Sequence, residues 1–398
     1  MKTYFCGSYF SQDRYQEIIS NSKGGVSNAN DLFQKNIING LSQYYNEFQC
    51  VTLPNIGSYP KSYNKVFLKG SESSITFGGG AVSSLTLPFI NIKYIKHFFR
   101  FFSLLVFFLR SLKRNEHVLI YYYDCDFAFV LMARVLKILG YKNKNCLIIP
   151  DLPTMTGSEN PAASILDVLL KTNLKFFDSY AAISKGVIEK LNLDSEKSIV
   201  LEGIYNKELY SSMISSRKDR DHVDHKTIFY SGAIDERNGV KLLINAFNEI
   251  KKNYTLIIIG DGPLKAWVMQ QCKLNSSIKY LGQRSHLEVI RIQKEVDLLI
   301  NPRMPNQSFT PYSFPSKTME YLASGIPLLM FKLEGVPNEY FKYVNLCEGV
   351  SVDELAKSIE SVLELDYINA IKIAHVAKKF ILEKKNPYVQ CGKLFKIN

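Results

Sequence analysis

The stretch VDLLINPRMPNQSFTPYSFPSKTMEYLASGIPLLM, residues 296–330, decides how the rest of the chain is read. It opens on an apolar run, Val296 to Ile300, crosses a polar segment with three prolines before Pro315, and closes on a second apolar run, Ile326 to Met330. Between the runs, Ser316 to Ala323 predicts a short helix, because Pro315 suits a first helical turn and Gly325 suits the position just past the last. Apolar run, helix, apolar run is the sequence form of a βαβ unit, whose strands lie parallel in one sheet.

The same alternation extends outward in both directions. In the C-terminal half, strands are expected at Thr227 to Tyr230, Tyr254 to Ile259 and Ile278 to Leu281, with helices at Val240 to Lys251, Leu264 to Lys273, Leu287 to Lys294 and Val352 to Leu363. The N-terminal half repeats the pattern less cleanly. Strands are expected there at Thr3 to Cys6, Cys50 to Leu53, Val118 to Tyr123, Cys146 to Ile149, Tyr180 to Ile183 and Ile199 to Leu201, and helices at Asn28 to Leu41, Phe127 to Ile138 and Ala163 to Lys171. A chain of 398 residues has room for two domains, each with its own core. The fold class expected is therefore α/β, two Rossmann-like domains in tandem: residues 1–205, a linker 206–226 containing the charged SSRKDRDHVDHK, residues 227–366, and a helical segment 367–398 packing back on the first domain.

Composition narrows the function classes. Seven scattered cysteines, without CxxC or Cys/His ligand spacing, indicate neither a disulfide framework nor a zinc site and suit a reducing cytoplasm. The start, MKTYFCGSYF, lacks the apolar stretch of a signal peptide, and no window reaches the roughly 18 uninterrupted apolar residues of a spanning helix. A net charge of +12 points to an anionic partner: nucleic acid, acidic lipid or a phosphorylated small molecule. The basic residues form no recognisable nucleic-acid-binding pattern, so nucleic acid is set aside.

In a doubly wound sheet, ligands sit beyond the carboxyl ends of the strands, where helix N-termini offer free N–H groups and a dipole that favours phosphate. After the first C-terminal strand, Gly232 and Gly239 let backbone approach a ligand closely, and Arg237 supplies a cation beside a diphosphate; the alternative is that Asn238-Gly239 is a plain turn and Arg237 a solvated side chain. Gly260-Asp261-Gly262-Pro263 reads as turn chemistry alone. The helix start after Ser313-Phe314-Pro315 offers N–H groups, the hydroxyls of Ser313 and Ser316 and the cation Lys317, a set suited to a diphosphate, with Arg303 in the loop that leads to it. About one and a half turns on, Glu320 lies off the Thr318, Met319 and Leu322 side that faces the sheet, where a carboxylate accepts hydrogen bonds from both hydroxyls of a ribose. The alternative is an exposed helix carboxylate.

Read together, Ser231-Gly232 with Gly239, Gly260 to Pro263, Leu281-Gly282, Asp297 to Pro302 and Pro315 to Pro327 resemble, in order and spacing, the retaining GT-B-fold glycosyltransferases of family 4. The resemblance runs from Ser231 to Pro327. It implies two domains facing each other across a cleft, a UDP- or GDP-linked sugar donor on the C-terminal one, and a glycan or lipid-diphosphate-linked acceptor on the N-terminal one. It also implies transfer with retention of configuration, without a metal ion or other cofactor. By position, Glu320 matches the glutamate that holds the ribose, Ser313 to Lys317 the diphosphate and sugar loop, and Gln283 and Arg284 the place whose backbone meets the nucleobase. Gly24-Gly25-Val26-Ser27 resembles the family's glycine-rich loop, which puts Gly25 near the donor phosphates; a turn is the alternative.

Three positions depart from the family pattern. Tyr312 stands where the first motif glutamate is usual, Ala233 where a basic residue follows the glycine, and Asn238 where a Lys precedes the next glycine. By elimination, Arg237 and Lys317 are left to stabilise the leaving diphosphate, and Asn238 is counted among the donor-binding residues. Asp124 and Asp151 both follow N-terminal strands and are placed to orient an acceptor hydroxyl, or else are ordinary loop carboxylates. The expected protein is a metal-independent cytoplasmic enzyme of surface polysaccharide synthesis. A non-catalytic partner subunit on the same fold is the alternative the three departures keep open, and a sugar-nucleotide epimerase is another.

One segment stands apart from this scheme. YIKHFFRFFSLLVFFLRSLKR, residues 94–114, is apolar around most of a helix, with Phe98, Phe101, Phe102, Leu105, Phe108 and Leu109 on one side and Phe99, Val106 and Phe107 on the other. Such a helix either lies against an anionic membrane surface or is buried all round.

Overall fold

Two mostly parallel sheets, each covered by helices, organise the chain. The computed structural model describes residues 1–24, 26, 28–77, 80–152, 161–208 and 225–398. These divide into a first unit, Met1–Ile204 with Asn386–Asn398, and a second, Tyr205–Lys385.

The first unit runs β1 (Lys2–Gly7), α1 (Tyr15–Asn21), α2 (Asn28–Ser42), β2 (Phe48–Thr52), β3 (Phe67–Leu68), β4 (Ser71–Phe77), β5 (Gly80–Thr86), β6 (Phe89–Ile90), α3 (Lys96–Ser111), β7 (Val118–Tyr123), α4 (Phe127–Ile138), β8 (Asn143–Ile149), α5 (Pro161–Asn173), β9 (Ser179–Ala182), α6 (Lys185–Lys190) and β10 (Ser198–Val200). Its sheet has the order β10-β9-β8-β7-β1-β2-β5-β4. Every pairing is parallel except β4 with β5. All six residues of β7, VLIYYY, are buried, which is why this strand reads as a continuous apolar run rather than an alternation. β1 lies between β2 and β7, so the strand order reverses between β1 and β7, and their carboxyl ends flank a switch point.

The second unit runs β11 (Lys226–Ser231), α7 (Val240–Glu249), β12 (Tyr254–Ile259), α8 (Lys265–Leu274), β13 (Ile278–Tyr280), α9 (His286–Lys294), β14 (Leu298–Asn301), α10 (Ser316–Ser324), β15 (Leu328–Phe331), β16 (Asn345–Cys347), α11 (Val352–Glu360) and α12 (Tyr367–Lys384). Its sheet is parallel throughout, in the order β13-β12-β11-β14-β15-β16, and reverses between β11 and β14.

The helical segment expected to return to the first domain from residue 367 instead divides. α12 stays with the second unit, where Phe380 meets Tyr340 edge-on at 5.4 Å and stacks on Tyr343 at 4.4 Å. Only α13 (Pro387–Ile397), which starts with Pro387 behind an Asn386 cap, joins the first unit, packing on α2. The approach is close enough that a Cβ at Gly40 would lie 2.3 Å from the Pro387 carbonyl oxygen, so only glycine fits there. The expected linker falls mainly on residues 209–224, outside the described residues.

Candidate functional site

The reversal between β11 and β14 brings two loops together at the carboxyl edge of the second sheet. Gly239, the residue before α7, has φ 72°, and a Cβ there would lie 1.8 Å from the Pro302 carbonyl oxygen, so the loop after β11 closes on the loop after β14 only with glycine at this position. α10 is tied to the same edge by Tyr321, whose hydroxyl accepts from the Ser231 N–H at 2.8 Å, and by Asn301, which donates to the Thr318 hydroxyl at 3.1 Å.

These elements enclose a cavity of about 200 Å³ lined by Ser231, Gly232, Ala233, Asn238, Asn301, Arg303 and the run Phe314 to Lys317, with Tyr230, Ile300 and Tyr321 behind. No side chain caps α10, whose N-cap residue is Pro315. Its first turn therefore offers backbone N–H groups and the positive end of the helix dipole at the cavity wall, a combination that binds phosphate.

Two cations accompany that helix end. Arg303 donates from Nη2 to the Ser313 hydroxyl at 2.8 Å and lies 4.7 Å from the centre of the Phe309 ring. Ser313 in turn donates to the Phe309 carbonyl at 3.1 Å, so the guanidinium is held both by a hydrogen bond and by the aromatic ring. Lys317 lies 2.8 Å from the Glu320 carboxylate. His286, at the first position of α9, lies near the same oxygen, Nε2 at 3.3 Å. A capping box of Ser285 and Glu288 fixes the start of α9 and so sets where His286 stands. Burial pushes the Glu320 carboxyl up, but the hydrogen bond from His286 and the charge of Lys317 outweigh it and hold the group below the usual carboxylate range. Glu320 is only 20% exposed and is not the solvated helix carboxylate of the alternative reading.

Among the expected site residues, Gly232, Asn238, Arg303, Phe314, Pro315, Ser316 and Lys317 share one cavity, Ser313 joins it through Arg303, and Glu320 through Lys317. Asn238 is oriented by Asp235, which accepts from both its backbone and its side-chain N–H groups. Arg237 is not in the lining. It is 52% exposed, 3.4 Å from Asp235, with its guanidinium 5.7 Å from the Phe309 ring centre. Gln283 and Arg284 are exposed at the turn after β13, and it is their neighbour His286 that reaches the cluster. The position of His286 rests on a contact between two helices distant in sequence; the Ser-x-x-Glu signature of the capping box was the signal available for where α9 begins. Gly25 lies outside the described residues, and Asp151 belongs to the first unit, exposed at the end of β8.

In that first unit the switch point carries acid. Asp124, directly after β7, has φ 81° and its carboxylate accepts from the Cys125 N–H at 2.6 Å. Burial and then the neighbouring charge of Asp126 push its carboxyl up to about 7. Asp126 caps α4 and pairs at 2.7 Å with Arg100, which is buried and also donates to the Leu53 carbonyl. Helix α3, which carries Arg100, is not buried all round: Phe101, Leu104 and Phe108 are buried, Phe108 edge-on to Tyr4 of β1, whereas Phe98, Phe102 and Leu109 are about half exposed.

Among the described residues no three His, Cys, Asp or Glu side chains are grouped to hold a metal ion, and no helix is long and apolar enough to cross a membrane.

Comparison with known proteins gives a concordant picture. Residues 214–380 match the family model described as glycosyl transferases group 1. The chain is 26% identical over 212 residues to an uncharacterized glycosyltransferase of Methanocaldococcus jannaschii, a match that spans 50% of this chain and 53% of that protein, about half the length of each. Among solved structures, Anabaena HepE in complex with UDP superposes with a TM-score of 0.62 at 15% identity, covering 100% of this chain and 99% of that one. The lipopolysaccharide outer core galactosyltransferase WaaB superposes with a TM-score of 0.64 at 14% identity over 100% and 99%. At such identities the likeness is one of fold, and the fold is GT-B.

Proposed function

We propose, from the premise that residues 214–380 form a group 1 glycosyltransferase domain, that this protein transfers a sugar with retention of configuration from a nucleoside diphosphate to a glycan or lipid-linked saccharide. The observation that carries the proposal is the uncapped start of α10 at the switch point of the second sheet, with Arg303 and Lys317 in the wall beside it and Glu320 about one and a half turns further on.

The diphosphate lies against the α10 N–H groups and Arg303, and the Glu320 carboxylate accepts from the ribose hydroxyls. Lys317 donates to the Glu320 carboxylate, so ribose hydroxyls that bind this carboxylate compete with that pairing and leave the ammonium group available to the phosphates. In the transfer, the bond from the anomeric carbon to the diphosphate oxygen breaks as the acceptor oxygen bonds on the same face, and the acceptor proton passes to the departing phosphate oxygen. Charge grows on the diphosphate as it leaves, so fixed donors at that oxygen lower the barrier. Arg303, Lys317 and the positive end of the helix dipole offset this negative charge in a metal-independent reaction. HepE is described in complex with UDP and with UDP and glucose, which supports UDP as the nucleotide.

The exposed aromatic stripe of α3, with Lys93 before it and Arg110, Lys113 and Arg114 at its end, supports peripheral binding to an anionic membrane, where a lipid-diphosphate-linked acceptor of surface polysaccharide synthesis resides. The catalytic reading is tested by titrating UDP into the protein and into Glu320→Ala by calorimetry. Saturable binding that falls about tenfold in the variant is expected for the loss of a charged hydrogen-bond acceptor. Unchanged affinity sinks the assignment of Glu320, and silence toward every nucleotide sugar favours a non-catalytic subunit.

A further inference from the structure

Part of the exposed face of helix α3 borders a concavity. Phe99, Phe102, Val106 and Phe107 form one wall of an open groove of about 630 Å³, and Phe67 and Phe89, from the small β3–β6 sheet, are on the other. Its polar lining consists of Ser103, Ser111 and Arg110, with no acidic side chain. Lying flat on a bilayer calls only for a convex apolar stripe. A concavity of this size walled by aromatic rings is a binding shape, and filling it removes apolar surface from water.

We propose that this groove takes a single hydrocarbon chain, acyl or prenyl, of an anionic lipid, with Arg110 at its rim meeting the lipid phosphate. The wall from Phe99 to Ser111 is about 18 Å long at the rise of an α-helix, and so accommodates an extended chain rather than a compact ring system. Charge selects the occupant. Lys93 precedes α3, and Arg110, Lys113 and Arg114 end it, so both ends of the face are basic. A second copy of the chain, paired two-fold on this face, would set basic ends against each other, whereas an anionic lipid meets a complementary field. The source of the lipid rests on the membrane reading of α3 given above; the groove itself does not.

The experiment titrates farnesyl phosphate, below its aggregation concentration, into the full chain by calorimetry, with inorganic phosphate as the head-group control. One saturable site for farnesyl phosphate is expected, with no heat from inorganic phosphate at the same concentration. Val106→Trp, which fills the groove, should weaken binding about tenfold, and Arg110→Gln about fivefold. Ser103→Leu, a smaller filling of the same wall, serves should the tryptophan variant not fold, with an expected loss of about threefold. Equal binding by the filled variants, or equal binding of inorganic phosphate, overturns the proposal. Sedimentation with anionic vesicles separates the two readings. Farnesyl phosphate bound by a protein that does not sediment keeps the groove and removes the membrane reading, and sedimentation without farnesyl phosphate binding does the reverse.

Discussion

The two sheets of this protein reverse their strand order at equivalent places and put opposite charges there. In the first unit the turn after β7 carries Asp124 and Asp126, and Asp151 follows β8; in the second, Arg303 follows β14 and Lys317 starts α10. The topology is the same because both come from βαβ units, and it fixes only where a ligand sits. What kind of ligand is decided by the loops. Acid at a strand end accepts hydrogen bonds from hydroxyls and repels phosphate, whereas base beside an uncapped helix start attracts a diphosphate. The two carboxylates are also held in different states. Asp124 is raised to about 7 by burial and by Asp126, while Glu320, though partly buried as well, is kept low by His286 and Lys317.

That contrast breaks most visibly at Arg303. Arg303→Ala should cost about a hundredfold in kcat/KM for the donor, the effect of removing one preorganised donor from a developing anion. Arg237→Ala, at an exposed rim position, should cost less than about threefold. Steady-state kinetics on both variants decides, and a larger loss at Arg237 would move the charge out of the cavity.

A smaller effect sharpens the acidic side. The Asp124 carboxyl titrates near 7 in the folded chain and near about 4 when unfolded. Its folded value is raised, so the stability it contributes is fully present below about pH 4 and is lost as pH rises through 7. Asp124→Asn keeps an oxygen for the Cys125 N–H, tolerates the positive φ and cannot ionise. The full difference would be worth about 4 kcal/mol, which the partial solvent exposure of Asp124 reduces, so urea denaturation should show no change at pH 4 and a gain of about 1–2 kcal/mol at pH 8. A gain of equal size at both values would show that the charge is not responsible.

The smallest expected change is at His286. His286→Ala leaves Lys317 to hold Glu320 alone, and UDP affinity measured by calorimetry should drop by about two- to threefold. A drop as large as that of Glu320→Ala would make His286 a ligand contact rather than a support.

Much of the second unit could be read from its residues because each strand there ends in a distinctive turn, and Pro315 and Gly325 bracket α10. The first unit was less legible for physical reasons. The antiparallel pair β4 and β5, SESSITF and GAVSSLT, lies at one edge of the sheet, and its polar strands lack the apolar runs that mark the centre. The helical stretch after residue 366 looks continuous, yet Phe380 and Cys391 are buried in different units, a tertiary choice that local periodicity does not encode. The cavity cations show the same limit. Arg237 and Arg303 are equally basic in the sequence, and only the close approach of the two loops at Gly239 and Pro302 determines which of them lines the cavity.

Helix α13 carries a consequence for biosynthesis. The first unit is complete only when this helix covers Gly40 and Leu41 of α2, and the ribosome delivers it after the whole second unit. At about 5–20 residues per second, the N-terminal sheet waits on the order of ten to forty seconds with an apolar helix face uncovered. Nascent chains of this protein are therefore expected to lean on chaperones during that interval, and to complete their N-terminal half last.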